Sequence, residues 1–160
     1  MGVPVGAGQP AVGLGLPIRR EEGGLFMNEE IFGIGTDIVE VERIRENLER
    51  FGDRFAGRIL TDAEFDEFCR NARPPHFLAR RFAVKEAVAK AFGTGFRDGL
   101  RLRDIELRHN EFGRPELGYT GAALTLCREF AISSSHVSVS DERHYAVAFV
   151  TLLSRSSAQP

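Results

Sequence analysis

"RFAVKEAVAKAFGTG", residues 81–95, places small or apolar side chains around three charged ones, Lys85, Glu86 and Lys90. The three- and four-residue spacing of its apolar positions predicts a mostly buried helix. Gly93 follows the last apolar residue and is typical of a left-handed helix cap. Because the polar stripe is narrow, its charges are expected at the edge of the core, where a partly desolvated charge needs a partner.

The segment "IFGIGTDIVEV", residues 31–41, predicts a strand upstream of that helix. Gly33 and Gly35 would let another backbone approach this strand closely. From Ile38 the pattern changes to three- and four-residue steps typical of an amphipathic helix. The apolar positions of this second pattern are Val41, Ile44, Leu48, Phe51 and Phe55, with Gly52 as a point of interruption.

"LTDAEFDEF", residues 60–68, predicts a further helix, with Thr61 as its N-cap and Glu64 as the capping-box partner. "NARPPHF", residues 71–77, predicts a break before the buried helix.

The carboxyl-terminal half predicts more strands than helices. "DIELRH" and a short strand ending at Tyr119 flank a turn, and "TGAALTLCREF" predicts a helix with Thr120 as N-cap. A hairpin follows, from "SHVSVS" through the turn "DERH" to "YAVAFVTLL". Helices and strands are mixed without βαβ alternation, so the fold class is α+β: a single domain with a small antiparallel sheet packed with helices.

Length and composition limit the remaining possibilities. At 160 residues the chain has one domain's length, and its net charge of -2 argues against general nucleic-acid binding. No segment approaches the roughly 20 apolar residues that span a bilayer. Cys69 and Cys127 lack metal-binding spacing, so both are expected to be buried thiols of a reducing, cytoplasmic compartment.

The ends of the chain differ in composition from its middle. Residues 1–26 are rich in Gly and Pro, and Met27 follows them directly. We expect these residues to be a disordered extension or the product of a misplaced start, and residues 154–160 to be a flexible tail. The functional domain is then residues 27–153.

Two carboxylates and a lysine are the candidates for chemistry. Glu86 and Lys90 lie one helical turn apart, and their simplest interpretation is a surface salt bridge. Asp37, at the end of the first predicted strand, could be an N-cap or turn residue. Together, Asp37 and Glu86 would instead form a sparse Mg²⁺ site, since Mg²⁺ takes one or two carboxylates and fills its other positions with water and phosphate oxygens. Lys90 would then neutralise phosphate charge.

Two polar surfaces could either bind a ligand or a partner, or be simply exposed to solvent. His136, Ser138 and Ser140 alternate with valines, so they form either a phosphate-binding face or the wet side of an antiparallel strand. At about 100° per residue, three arginines share one side of the helix after Asp37. This stripe would suit an acidic protein partner or would be simply solvated; it comprises Arg43, Arg50 and Arg54.

Four motifs in this order, "GIGTDIVEVERI", "FLARRFAVKEAVAKAFGTG", "GRPEL" and "HVSVSDERHYAVAFV", closely resemble the bacterial holo-[acyl-carrier-protein] synthases. These are the small, homotrimeric class of 4'-phosphopantetheinyl transferases, and the resemblance covers residues 31–153. It implies the fold of that class and a reaction in which coenzyme A donates its phosphopantetheine arm to a serine of apo acyl carrier protein. Adenosine 3',5'-bisphosphate is the other product, and the reaction serves fatty acid biosynthesis.

The resemblance also implies roles for individual residues. Asp37 and Glu86 would bind Mg²⁺, and Lys90 would contact the coenzyme A phosphates. Further phosphate contacts would come from Arg81 and from the "HVS" motif, where the residues are His136 and Ser138. Arg43 matches a basic position on the helix that docks the carrier protein. Asp141 stands where some relatives have a second histidine, so no role is transferred to that position.

The mechanism expected from these roles is in-line attack of the carrier serine on the β-phosphorus, with Glu86 or a metal-bound water as proton acceptor. Two alternatives belong to other classes. A metal-dependent hydrolase would release nucleotide from coenzyme A without a carrier protein. A non-catalytic carrier-binding module would keep the arginine face and show no turnover.

Overall fold

The computed structural model describes residues 29–97 and 99–155. Its helices are α1 (Val41–Phe51), α2 (Asp53–Ile59), α3 (Asp62–Cys69), α4 (Pro74–Phe92) and α5 (Gly121–Glu129), with a single 3₁₀ turn at Leu102–Asp104. Its strands are β1 (Glu29–Glu40), β2 (Ile105–His109), β3 (Pro115–Tyr119), β4 (Ile132–Asp141) and β5 (Tyr145–Arg155). The predicted α+β class, with antiparallel strands and packed helices, is confirmed.

The main sheet is antiparallel, with strand order β1-β5-β4, and the β2-β3 hairpin forms a separate two-stranded sheet. Side chains of β5 alternate between exposed and buried, so the sheet has an inner and an outer face. Helix α4 packs against the inner face and is buried at most of its positions, as its sequence predicts. The predicted carboxyl-terminal hairpin is β4-β5, with Asp141 opposite Ala146 at its turn end.

The two glycines of β1 allow α4 to lie directly on the strand. A Cβ atom at Gly33 would collide with the carbonyl oxygen of Ala91, and one at Gly35 would collide with the carbonyl oxygen of Ala87. A Cβ at Gly35 would also lie 2.7 Å from the amide nitrogen of Ala91. The predicted close approach of a second backbone is confirmed, and α4 is that backbone.

The predicted change from strand to helix at Ile38 is wrong by three residues. β1 continues through Glu40, and Ile38 pairs with Val147 of β5. Asp37 is therefore neither an N-cap nor a turn residue, because it lies inside a strand, opposite Ala148. The predicted interruption at Gly52 is confirmed, since this residue has a φ of 55° and separates α1 from α2.

The capping box of α3 is confirmed: the Thr61 hydroxyl accepts from the Glu64 amide, and the Glu64 carboxylate accepts from the Thr61 amide. The predicted break at residues 71–77 is too long, because α4 begins at Pro74. The two prolines occupy its first turn, where a missing amide hydrogen costs no helical hydrogen bond. Gly93 caps α4 in the left-handed conformation as predicted, with a φ of 76°.

The domain ends and the cysteines differ in part from expectation. Ser154 and Arg155 belong to β5, so they are not part of a flexible tail. The predicted extension at residues 1–26 and the rest of the predicted tail lie outside the described residues. Cys127 is buried as predicted, whereas Cys69 is exposed, and both are free thiols. None of the described helices is long and apolar enough to cross a membrane.

Candidate active site

Asp37 and Glu86 line one cleft, although 49 positions separate them in the chain. The cleft has a volume of about 290 Å³ and lies where β1, α1 and α4 meet. Asp37 reaches it because its side chain shares the inner face of β1 with Gly35, against which α4 packs. Arg43, Asn47 and Phe82 also line the cleft. The residues at its polar end are therefore two carboxylates, an amide and a guanidinium.

Lys90, on α4, is bonded to Asp37 of this group. Its ammonium donates to the Asp37 carboxylate at 2.7 Å and to the Thr36 carbonyl at 2.9 Å. Among the described residues no ion pair joins Lys90 to Glu86, so the salt bridge within α4 is not the arrangement found. An ammonium has three N–H donors, and two are used here. The third is available to a substrate oxygen, because half of the side chain is exposed.

The electrostatics of Glu86 differ from those of a surface carboxylate. Burial raises the pKa of Glu86, and the nearby Asp37 carboxylate raises it further, while Lys90 opposes both effects. Two carboxylates that repel each other in a partly desolvated cleft favour a cation or a proton between them. This donor set fits Mg²⁺, which needs only one or two protein carboxylates.

Arg81 does not point into this cleft. Its guanidinium donates to the Glu67 carboxylate at 3.0 Å and lies over the Phe77 ring at 3.8 Å. The side chain is almost fully buried, at 4% exposed. The phosphate contact implied for Arg81 stays a prediction, and it would have to compete with this ion pair. Asp141, at the position where some relatives have histidine, accepts from Arg80 at 2.9 Å.

His136 and Ser138 lie on the opposite face of the sheet from Asp37. Both are exposed on β4 and pair with Thr151 and Phe149, whose side chains are on the outer face. Asp37 is on the inner face and belongs to the far strand of the same sheet. The predicted alternation with Val137 and Val139 is confirmed. A single copy of the chain, however, does not bring His136 or Ser138 to the cleft.

The arginine stripe is shorter than predicted. Arg43 and Arg50 are exposed on α1, and the Arg50 guanidinium lies 4.9 Å from the centre of the Phe51 ring. Arg54 belongs to α2, so its placement on the same helix face is wrong: α1 ends at Gly52, which has a φ of 55°, and a second helix begins at Asp53. Only Arg43 of the three lines the cleft beside Asp37 and Glu86.

Sequence analysis missed the partner of Lys85, which was expected at the edge of the core. Lys85 is fully buried and donates to the Glu64 carboxylate at 2.6 Å. Burial lowers the pKa of Lys85, and Glu64 opposes that lowering. The sequence did contain one indication that Lys85 is buried, because Val84 and Val88 are its neighbours on a mostly apolar helix. Glu64 gave no such signal, since its capping role already explained it.

A model of the 4'-phosphopantetheinyl transferase superfamily matches residues 33–150, which include Asp37, Glu86, Lys90 and His136. The chain belongs to this superfamily. The resemblance drawn from the four sequence motifs is thereby confirmed. Asp37 and Glu86, at the cleft formed by β1, α1 and α4, are thus the candidate centre of a phosphopantetheinyl transferase domain.

Similar proteins agree with this assignment. The holo-[acyl-carrier-protein] synthase of Salmonella paratyphi B is 49% identical over 122 residues, which are 76% of this chain and 97% of that protein. A crystal structure of the synthase from Neisseria meningitidis matches with a TM-score of 0.73 and 46% identity, covering 77% of this chain and 98% of the other. The Bacillus anthracis synthase, solved in complex with CoA (3',5'-ADP), matches with a TM-score of 0.65 and 37% identity, covering 78% and 97%.

Proposed function

We propose that this phosphopantetheinyl transferase moves the 4'-phosphopantetheine arm of coenzyme A to a serine of apo acyl carrier protein. The products are holo acyl carrier protein, for fatty acid biosynthesis, and adenosine 3',5'-bisphosphate. The observation that carries the proposal is that Asp37 and Glu86 line one cleft, with the Lys90 ammonium bonded to Asp37. Two carboxylates and an ammonium suit a diphosphate substrate with a divalent cation.

Each residue of the cleft has a distinct task in this proposal. Asp37 and Glu86 would hold Mg²⁺, which supplies charge neutralisation to the diphosphate when bound. Lys90 is fixed by Asp37 and the Thr36 carbonyl, so its ammonium is oriented before the substrate arrives. Glu86 can accept the serine proton, because its carboxylate lines the cleft and no ion pair among the described residues occupies it.

Mass spectrometry of apo acyl carrier protein tests this function directly. Incubation with the enzyme, coenzyme A and Mg²⁺ is expected to add the mass of one phosphopantetheine, and a metal chelator is expected to prevent the addition. A parallel incubation without carrier protein should release no nucleotide. Release there, without modification of the carrier protein, would identify a hydrolase. Binding of the carrier protein without turnover would identify a non-catalytic module.

Docking of the acidic carrier protein is assigned to the exposed arginines, with Arg43 as the main contact because it adjoins the cleft. We expect Arg43→Glu to raise the KM for the carrier protein about 10-fold, since it replaces an attraction by a repulsion. The KM for coenzyme A should stay unchanged. Steady-state kinetics at two salt concentrations measure both, and the effect should shrink as salt rises.

Arg128→Glu is the matched control for this prediction, because Arg128 is exposed on α5 and does not line the cleft. It makes the same change of charge and should leave the KM for the carrier protein as in the wild type. Equal increases in both KM values for Arg43→Glu would contradict a docking role. Arg50 and Arg54 are expected to contribute less, because neither lines the cleft.

A homotrimer is the assembly that we propose. The outer face of the main sheet exposes a continuous set of large apolar side chains, which a monomeric protein rarely leaves in water. Its members are Ile34, Ile38, Tyr145, Val147 and Phe149. His136 and Ser138 share this face, so a neighbouring copy could bring them to the cleft from which their own chain separates them. Their phosphate contact depends on that neighbour.

Val147→Glu is expected to dissociate the assembly, because it buries a charge in the contact between copies. Light scattering should give a mass of three 17.8 kDa chains for the wild type and one for the variant. Phe112→Glu is the control, since Phe112 is 87% exposed at the tip of the β2-β3 hairpin. A wild-type mass for Val147→Glu would contradict an interface on this face of the sheet.

The cytoplasm is the proposed compartment. One observation supports it: the described cysteines are free thiols, as is usual in a reducing compartment.

A further inference from the structure

The interior of the molecule holds a charged cluster that the proposed reaction does not use. The Lys85 ammonium donates to the Glu64 carboxylate at 2.6 Å, to the Ile105 carbonyl at 2.6 Å and to the Leu102 carbonyl at 3.1 Å. All three of its donors are therefore satisfied. Both members of the ion pair are buried, with side chains 0% and 1% exposed.

Glu64 extends the same cluster to two more backbone groups. Its carboxylate accepts from the Leu107 amide at 3.0 Å and from the Thr61 amide at 2.9 Å. The pair therefore connects α4 to the start of α3, to the 3₁₀ turn and to β2. Each bond is directional, so the cluster fixes an orientation and does more than fill space.

The position of this cluster on α4 gives it a geometric consequence. At about 100° per residue, Ala87 lies about 200° around the helix from Lys85. The Ala87 carbonyl is the group on which Gly35 of β1 packs. Helix α4 is therefore held from two nearly opposite sides, by the ammonium on one and by the strand on the other. Glu86 lies between the two, about 100° from each.

Rotation of α4 about its axis would move Glu86 relative to Asp37, which is fixed in β1. The contact with the glycines limits how closely helix and strand approach, and it acts on the strand side of the helix only. The Lys85 hydrogen bonds oppose a rotation, because their acceptors belong to α3, the 3₁₀ turn and β2, and a rotation displaces the ammonium from the position where all three form. They also act on the residue that directly precedes Glu86.

We propose that Lys85 and Glu64 are positioning residues of the transferase, which hold α4 at the rotation where Glu86 faces Asp37. The inference rests on the function proposed above. A purely stabilising role is a weak explanation for the pair, because buried ion pairs often contribute no more stability than apolar residues of the same size. The pair would act on the metal-binding geometry of the cleft, as outer partners of metal ligands do.

The test is the double variant Lys85→Met with Glu64→Gln. Changing both residues leaves no unpaired charge in the interior, and the glutamine oxygen can still accept from one of the two backbone amides that Glu64 accepts from, Thr61 or Leu107. We expect a folded protein with kcat lowered about 10-fold or more and Mg²⁺ affinity weakened about 10-fold. Calorimetric titration of the substrate-free protein measures the affinity. The KM for the carrier protein should not change.

Val88→Ala separates positioning from general loosening of the helix. Val88 is fully buried on α4, and its truncation lowers stability but removes none of the groups that hydrogen-bond to the pair. We expect this variant to lose melting temperature but to keep kcat and Mg²⁺ affinity. If Val88→Ala lost kcat and affinity as the double variant does, the effect would be general destabilisation and the proposal would fall.

The remaining outcomes are also decisive. A folded double variant with wild-type kcat and Mg²⁺ affinity would refute the positioning role. If the double variant does not fold, Glu64→Asp, which keeps the charge pair on a shorter side chain, is judged by the same criterion. Absence of transfer by the wild type would refute the proposed function instead, and the calorimetric comparison of variants would still test the geometry.

Discussion

Glu86→Gln is expected to lower kcat for phosphopantetheine transfer by about 100-fold or more, because it removes both the proposed charged metal ligand and the candidate proton acceptor. The substitution keeps the size of the side chain, so the half-buried site should remain packed. Loss of charge also ends the repulsion from Asp37 that raises the pKa of Glu86. The folded state should therefore be at least as stable as that of the wild type.

Initial rates by mass spectrometry, at several Mg²⁺ concentrations, measure this effect. Glu129→Gln provides the control, since Glu129 is an exposed glutamate at the end of α5. The control should keep wild-type rates, and both variants should keep the wild-type melting temperature. Wild-type transfer by Glu86→Gln at limiting Mg²⁺ would show that another group holds the metal and accepts the proton.

Much of the site could be predicted from the sequence because its parts are local. Glycines within a strand indicate that another backbone lies close to it. Gly33 and Gly35 lie in such a strand, and α4 is the backbone that approaches them. Lys90 and Glu86 are four residues apart in one helix, so their positions on the same face follow from helix geometry alone, without knowledge of the tertiary fold. Family resemblance then linked Asp37 to the helix, and the structure places both acids at one cleft.

Other features could not be predicted because they depend on which surfaces meet. The apolar residues Ile38 and Val39 fit the pattern of a strand as well as that of a helix start. They are in a strand because they pair with β5. The helix pattern assigns Lys85 to a polar stripe, because its acceptors come from α3 and β2, which the pattern of one helix does not show. His136 and Asp37 are separated because their strands are at opposite edges of the sheet and their side chains are on opposite faces. A single sequence specifies neither the strand order nor the face.

Gly35→Ala is expected to destabilise the fold by about 3 kcal/mol, at the upper end of the usual cost of overpacking. The new methyl group would meet backbone atoms, the Ala87 carbonyl and the Ala91 amide nitrogen, and a backbone cannot rotate out of the way as a side chain can. At this chain length such a loss corresponds to a fall in melting temperature of about 10 °C. Thermal unfolding followed by circular dichroism measures it.

Gly57→Ala is the matched control, because a Cβ at Gly57 meets no atom within 4 Å and the residue lies inside α2. It should raise stability by about 0.5–1 kcal/mol, since alanine favours a helix over glycine. Gly35 stands two residues before Asp37, so the separation of β1 and α4 that relieves the collision also parts Asp37 from Glu86. Gly35→Ala molecules that remain folded should therefore lose transfer activity as well. An unchanged melting temperature would show that β1 and α4 are not in the close contact on which the site depends.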